Sequence, residues 1–133
     1  MNVIVDTCIW SLALRRDAQS QAATVKELGT LIDDHRVRMI GPIRQEILSG
    51  IRDPSQFKRL QERLASFSDL PILTEDYVTA ASLFNLCRAK GIQGSNTDFL
   101  ICAVAARNKC AVFTTDRDFE RFAEHLPLVL HGP

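Results

Sequence analysis

The chain has no CxxC pair, no apolar run near the length of a membrane span and no surplus of charge of either sign. Each absence removes a class of protein. None of its four cysteines, Cys8, Cys87, Cys102 and Cys110, stands at metal-ligand spacing from another, and most lie among apolar neighbours. A zinc site would need more sulfur or histidine at closer spacing. The cysteines are therefore read as small, reduced core residues. The three histidines, His35, His125 and His131, are scattered near predicted element ends and receive no catalytic role. Basic and acidic residues number 16 each, so formal net charge is zero. Proteins whose main task is to coat nucleic acid are usually basic, and that task is disfavoured. An acidic site ringed by basic side chains remains compatible with the balance. A membrane helix needs roughly 20 apolar residues, and the N-terminus runs straight into a strand with no basic leader. A cytoplasmic protein without a membrane partner is expected.

What is present suits one globular unit. Hydrophobic residues make up 46% and charged residues 24% of 133 positions. That length allows one core of reasonable size and is short for two ordinary domains, so residues 1–133 are expected to form a single domain. Apolar, β-branched runs predict strands at residues 2–6, 37–40, 70–73, 111–114 and 128–130. Helices are predicted at 7–14, about 20–34, 42–49, from Asp53-Pro54, about 74–90, 97–108 and 119–125. Val25, Leu28, Leu31 and Ile32 would form the inner face of the second, and Phe57, Leu60, Leu64 and Phe67 an apolar stripe in the fourth. Val78, Ala81, Leu83, Leu86 and Cys87 are candidates for burial in the fifth. Strands alternating with helices specify an α/β fold: a central, mainly parallel sheet of about four or five strands flanked by helices.

Four carboxylates stand where such a fold would gather them. Asp6 closes the run Val3-Ile4-Val5, and Asp116 follows Ala111-Val112-Phe113-Thr114-Thr115. Strands of an open parallel sheet deliver their carboxyl ends to one edge, which is where ligands bind. Asp98 opens the helix Phe99-Leu100-Ile101-Cys102-Ala103-Val104-Ala105-Ala106, apolar on all sides and so expected to be buried. Its N-terminus must emerge at the functional edge or strand a charge in the core, and Gly94-Ser95-Asn96-Thr97 before it offers hydroxyl and amide contacts. Glu46 lies inside a helix, beside Ile43 and with Gly50 one turn on to leave room. There it is expected to be half-buried, with Arg44, Arg15 or a metal as partner. Each Asp taken alone also fits an ordinary helix cap. Taken together, clustered carboxylates repel unless a cation lies between them, and hard oxygen donors suit Mg²⁺ or Mn²⁺. Phosphodiester chemistry is the common use of such a set. Asp118, Thr114 and Thr115 are secondary candidates, as a further ligand or to orient water. Asp118 is equally a first-turn acid favoured by the helix dipole. Trp10 is assigned to the core or an interface rather than to base stacking, and Arg15-Arg16 to solvated surface rather than phosphate binding.

Four segments carry a resemblance: Val3-Ile4-Val5-Asp6-Thr7-Cys8-Ile9-Trp10, Pro42-Ile43-Arg44-Gln45-Glu46-Ile47-Leu48-Ser49-Gly50, Asn96-Thr97-Asp98-Phe99-Leu100-Ile101-Cys102-Ala103-Val104-Ala105, and Val112-Phe113-Thr114-Thr115-Asp116-Arg117-Asp118-Phe119. In this order and spacing they resemble PIN-domain ribonucleases of the VapC type, the toxins of type II toxin–antitoxin pairs, over essentially the whole length. The resemblance implies a three-layer PIN-like fold with Asp6, Glu46, Asp98 and Asp116 as catalytic and metal-binding residues. It further implies one or two Mg²⁺ or Mn²⁺ ions and endonucleolytic hydrolysis of structured RNA, with tRNA or rRNA as targets. As partners it implies a second copy of the chain and a cognate VapB-like antitoxin, whose C-terminal segment commonly covers the site. Cys8 departs from the family, where Ser, Asn or Ala is commoner.

Two other classes stay open. A haloacid-dehalogenase-like phosphatase also has Asp at the end of its first strand but needs another two residues later, where this chain has Cys8. A non-catalytic binding module would use the aspartates only as caps.

Overall fold

A computed structural model describes residues 1–14 and 22–132. Arg15 and Arg16, and the predicted helix start at Ser20, lie outside these described residues. The elements run β1 (Val3–Val5), α1 (Thr7–Leu14), α2 (Ala22–Asp33), β2 (Val37–Arg38), α3 (Gly41–Leu48), α4 (Pro54–Leu64), α5 (Thr74–Ala89), α6 (Asn96–Asn108), β3 (Ala111–Phe113) and α7 (Asp118–Ala123).

β1 is the middle strand of a parallel sheet ordered β2-β1-β3. Its register pairs Val3 with Val37 and Ala111, Ile4 with Arg38 and Val112, and Val5 with Phe113. Val3, Ile4 and Val5 are fully buried, as a strand covered on both faces requires. The sheet is narrower in regular strands than the sequence suggests. The predicted strands at 70–73 and 128–130 each shrink to a single parallel bridge, Met39 with Asp69 and Val112 with Leu130. Both lie at sheet edges. Pro71 cannot donate to a ladder, and edge positions are where such a residue is tolerated.

Helices flank the sheet in two groups. α1 packs on α2 and α3, and α3 on α4; α5 packs along α6, which itself rests on β1 and β3. The apolar α6 behaves as its composition demands: all residues from Phe99 to Ala105 are buried. Trp10 is buried as well, its indole N–H donating to the Val5 carbonyl at 3.1 Å and its ring meeting the edge of Phe67. In α4, Leu60 and Leu64 go inward while Phe57 stays exposed.

α5 buries only part of its expected face, Cys87 fully and Leu83 partly, and turns the rest outward. Asp76, Ala80 and Cys87 are buried, whereas Val78 and Leu86 are 66% and 42% exposed, and Ala81 is exposed too. An ion pair sets this phase. Arg107 of α6 donates to both oxygens of Asp76 at 2.8 and 2.9 Å, and Asp76 also accepts the Leu73 N–H at 2.8 Å. Arg107 holds the Asp76 carboxyl below its usual range, with burial acting in the opposite sense. A buried carboxylate needs such partners, and satisfying it outweighed covering Val78.

Candidate active site

The carboxyl ends of β1 and β3 meet at one edge of the sheet, and the Asp6 N–H donates to the Phe113 carbonyl at 2.9 Å. Asp6 is 9% exposed. Its Oδ1 accepts the Thr7 N–H at 2.8 Å, and its Oδ2 accepts the Thr114 hydroxyl at 2.8 Å. The same Thr114 oxygen accepts the Asp116 N–H at 3.0 Å. Thr114 therefore ties the Asp6 carboxylate to the backbone of Asp116. Its one hydroxyl proton is committed to Asp6, so it orients a carboxylate rather than a water.

Asp116 ends this turn, with its Oδ1 accepting the Asp118 N–H at 2.9 Å. Asp118 thus contributes its backbone, and its carboxylate has no hydrogen bond among the described residues. Asp98 stands in the first turn of α6. The Ser95 hydroxyl accepts the Asp98 N–H at 3.1 Å while Asp98 Oδ2 accepts the Ser95 N–H at 3.0 Å. This reciprocal capping box was available in the Ser95–Asp98 spacing. The cap explanation of Asp98 is therefore correct as far as one oxygen goes, and Oδ1 has no hydrogen bond among the described residues. Burial pushes the Asp98 carboxyl up from its usual range; the two hydrogen bonds with Ser95 oppose this, and the charges of Asp6 and Asp116 add to it. Asp98 therefore lies within electrostatic reach of both Asp6 and Asp116.

Glu46 corrects an expectation. It is exposed, not half-buried, because α3 buries Ile43 and Ile47 and leaves Glu46 on its flank. Its Oε2 accepts the Thr7 hydroxyl at 2.8 Å, which brings α3 to the strand end. Arg44 is not its partner: that guanidinium binds Asp69 and the carbonyls of Leu64 and Phe67. Nor does Gly50 make room for Glu46. A Cβ there would meet nothing within 4 Å, and its φ of +87° is what asks for glycine.

Two residues of the site escaped the sequence reading. Thr7 aims Glu46. Cys8, assigned to the core, is only partly buried, and its sulfur lies among Asp6, Thr114 and Thr115. The signal for both was position, one and two residues past a strand-final Asp. The other cysteines behave as read: Cys87, Cys102 and Cys110 are buried and unpaired, and burial pushes the Cys102 thiol up to about 12.

Among the described residues, no three His, Cys, Asp or Glu side chains already stand together as a ligand group. The donors nonetheless fit a hard divalent cation held partly through water, as Mg²⁺ usually is. They are oxygen anions that repel one another, and Asp98 keeps a carboxylate oxygen without a hydrogen bond among the described residues.

An open parallel α/β sheet with an acidic edge formed by its strand ends defines the class. The chain belongs to the PIN domain family, whose model matches residues 3–125. No curated protein matches it by sequence. Among solved structures it is similar to FitAcB from Neisseria gonorrhoeae, at 20% identity over 98% of this chain and 97% of that one, with a TM-score of 0.78. It is also similar to VapBC2 from Rickettsia felis bound to a DNA fragment from their promoter, at 19% identity over 98% of each chain and a TM-score of 0.77. DNA-bound VapBC from Salmonella typhimurium matches at 17% identity over 98% and 96%, with a TM-score of 0.71. At these identities the likeness is one of fold.

Proposed function

We infer that this chain is the toxin of a type II toxin–antitoxin pair, acting as a metal-dependent endoribonuclease on structured RNA such as tRNA or rRNA. The observation that carries the reading is the placement of Asp6 and Asp116 at neighbouring strand ends joined through Thr114, with Asp98 within reach of both charges and Glu46 brought alongside by Thr7. Asp6 and Asp98 would hold Mg²⁺ or Mn²⁺ directly or through water, and Glu46 and Asp116 would complete the site. When bound, the cation polarises the scissile phosphate and makes an attacking water more acidic. The chain's own residues do the rest. Thr114 and the Thr7 N–H fix the Asp6 carboxylate, and Ser95 fixes Asp98. Glu46 or Asp116, both exposed, takes the proton from the attacking water.

The partners follow from the neighbours and the surface. FitAcB and the VapBC complexes support an antitoxin as the cognate partner. Leu73, Tyr77, Val78 and Leu86 leave apolar surface exposed on and just before α5, which supports a homodimer. Micromolar light scattering that shows only monomer would count against it. No helix among the described residues is long and apolar enough to cross a membrane, and we assign the protein to the cytoplasm as one domain over residues 1–133. The phosphatase alternative is disfavoured by Cys8, which stands in the site where that chemistry needs a second Asp.

The test is cleavage of total tRNA and rRNA with Mg²⁺, Mn²⁺ or EDTA, beside Asp98→Asn. Discrete products that require metal and vanish in the variant are expected. Cleavage by Asp98→Asn at the wild-type rate would overturn the assignment. No cleavage and no Mn²⁺-dependent thermal shift would return the aspartates to the role of caps.

A further inference from the structure

Cys8 lies in the site, and the carboxylate mechanism does not use it. We propose that its thiol is a positioning residue for the reaction, holding the turn that carries Asp116 against the strand end that carries Asp6. The proposal rests on the nuclease reading above.

The sulfur has four polar neighbours. It accepts the Thr115 hydroxyl at 3.3 Å and the Thr115 N–H at 3.5 Å. It lies 3.4 Å from the Thr114 hydroxyl oxygen and 3.6 Å from Asp6 Oδ2. Thr114 already gives its own proton to Asp6 Oδ2 and receives one from the Asp116 N–H. Toward Cys8 it can therefore only accept. The single S–H proton goes to Thr114 or to Asp6, and the sulfur lone pairs take both donors of Thr115. Each of these partners lies at least 106 residues away in sequence except Asp6. Cys8 thus belongs to the small set of side chains that join the first strand end to the last.

Removing the sulfur leaves the Thr115 N–H and hydroxyl without these partners, while the 2.8 Å Thr114–Asp6 bond persists. The turn keeps one tether and loses the other. Asp116 follows directly, so its carboxylate is held less closely relative to Asp6, by the bonds through Thr114 and the Asp118 N–H alone. A misplacement on the order of 1 Å at a reacting centre costs roughly 100-fold in rate, and partial loosening costs less. Serine can restore both donor and acceptor functions, though its shorter bond to Cβ reaches less far.

The experiment compares the full wild-type chain with Cys8→Ala and Cys8→Ser, measuring kcat and KM on a short RNA in Mn²⁺ and Mn²⁺ affinity by calorimetry. The expected result is a fall in kcat of roughly 10-fold for Cys8→Ala, with KM nearly unchanged and a cooperative melt retained. Cys8→Ser should recover most of the loss. A merely structural role would lower the melting temperature without changing kcat per folded molecule. Wild-type kcat in Cys8→Ala, or a loss that serine does not recover, overturns the proposal. If the wild type cleaves no RNA, the nuclease reading fails separately. Weaker Mn²⁺ binding in Cys8→Ala, restored in Cys8→Ser, then still supports positioning by the thiol, and equal binding in all three proteins overturns it.

Discussion

Thr7 and Glu46, far apart in sequence, meet in a 2.8 Å hydrogen bond from the Thr7 hydroxyl to Glu46 Oε2. This contact is the one hydrogen bond of the exposed Glu46 side chain among the described residues, and it holds that side chain beside Asp6. Thr7→Val removes the hydroxyl with little change of shape. The variant should fold normally and lose roughly 10- to 100-fold in kcat, the range expected when a reacting group is misplaced. Thr7→Ser should retain most activity. Steady-state cleavage of an RNA oligonucleotide checks both, and an unaltered kcat in Thr7→Val would show that Glu46 finds its place unaided.

Asp98→Asn separates activity from stability. The carboxylate is raised by burial and by the like charges of Asp6 and Asp116, so ionising it works against the fold above its ordinary range. An Asn amide oxygen still accepts the Ser95 N–H. The variant should lose cleavage while its melting temperature at neutral pH and low salt stays level or rises, by up to about 3 °C after allowance for solvent screening. A clear fall would mean that the cap, not charge crowding, dominates at this position.

Asp76 should behave in the opposite way. Its folded-state carboxyl is lowered by Arg107, so its contribution is fully present above the unfolded value and is lost as pH falls through the folded one. Asp76→Ala strands the Leu73 N–H and the Arg107 guanidinium and should cost about 2–3 kcal/mol at neutral pH. The gap in melting temperature between wild type and variant should shrink below about pH 4, near the ordinary carboxyl value. Melting curves at pH 7, 5 and 3 measure it, and a gap independent of pH would contradict the sign.

Gly94 carries no positive φ, yet a Cβ on it would meet the Phe122 ring at 2.6 Å and the Phe99 ring at 2.9 Å. Both rings are buried, 0% and 1% exposed, and cannot swing aside. Gly94→Ala should therefore destabilise by about 1–3 kcal/mol, as overpacking does. Because Ser95 comes next and caps Asp98, cleavage should fall too. Unchanged melting and kcat together would show that the loop before α6 yields freely.

The acidic site was legible to an unequal degree. Asp6 and Asp116 were placed by a simple rule, that parallel strands send their carboxyl ends to one edge, and β1 and β3 obey it. Asp98 was placed by the all-apolar helix behind it. Glu46 was found for a mistaken reason: it is exposed and held by Thr7, not buried beside Gly50. Cys8 was missed because a cysteine among apolar residues reads as core, and nothing local shows that Thr114 and Thr115 will arrive beside it.

The sequence by itself determined which segments become β1, β3 and α6, with ends displaced by at most one residue, since β-branched runs and an unbroken apolar helix have few other solutions. Tertiary structure decided what those ends touch. α5 shows the difference most plainly: Cys87 and Leu83 face the core as expected, while Val78 and Leu86 lie outward and the Asp76–Arg107 pair occupies the inner face. The edge strands at 70–73 and 128–130 shrank to single bridges for a related reason, their pairing being settled by the sheet around them. Periodicity reports only the burial a segment prefers on its own. Strand order, register and the need to satisfy a buried charge act between residues far apart in sequence, and they fix which donor meets which carboxylate.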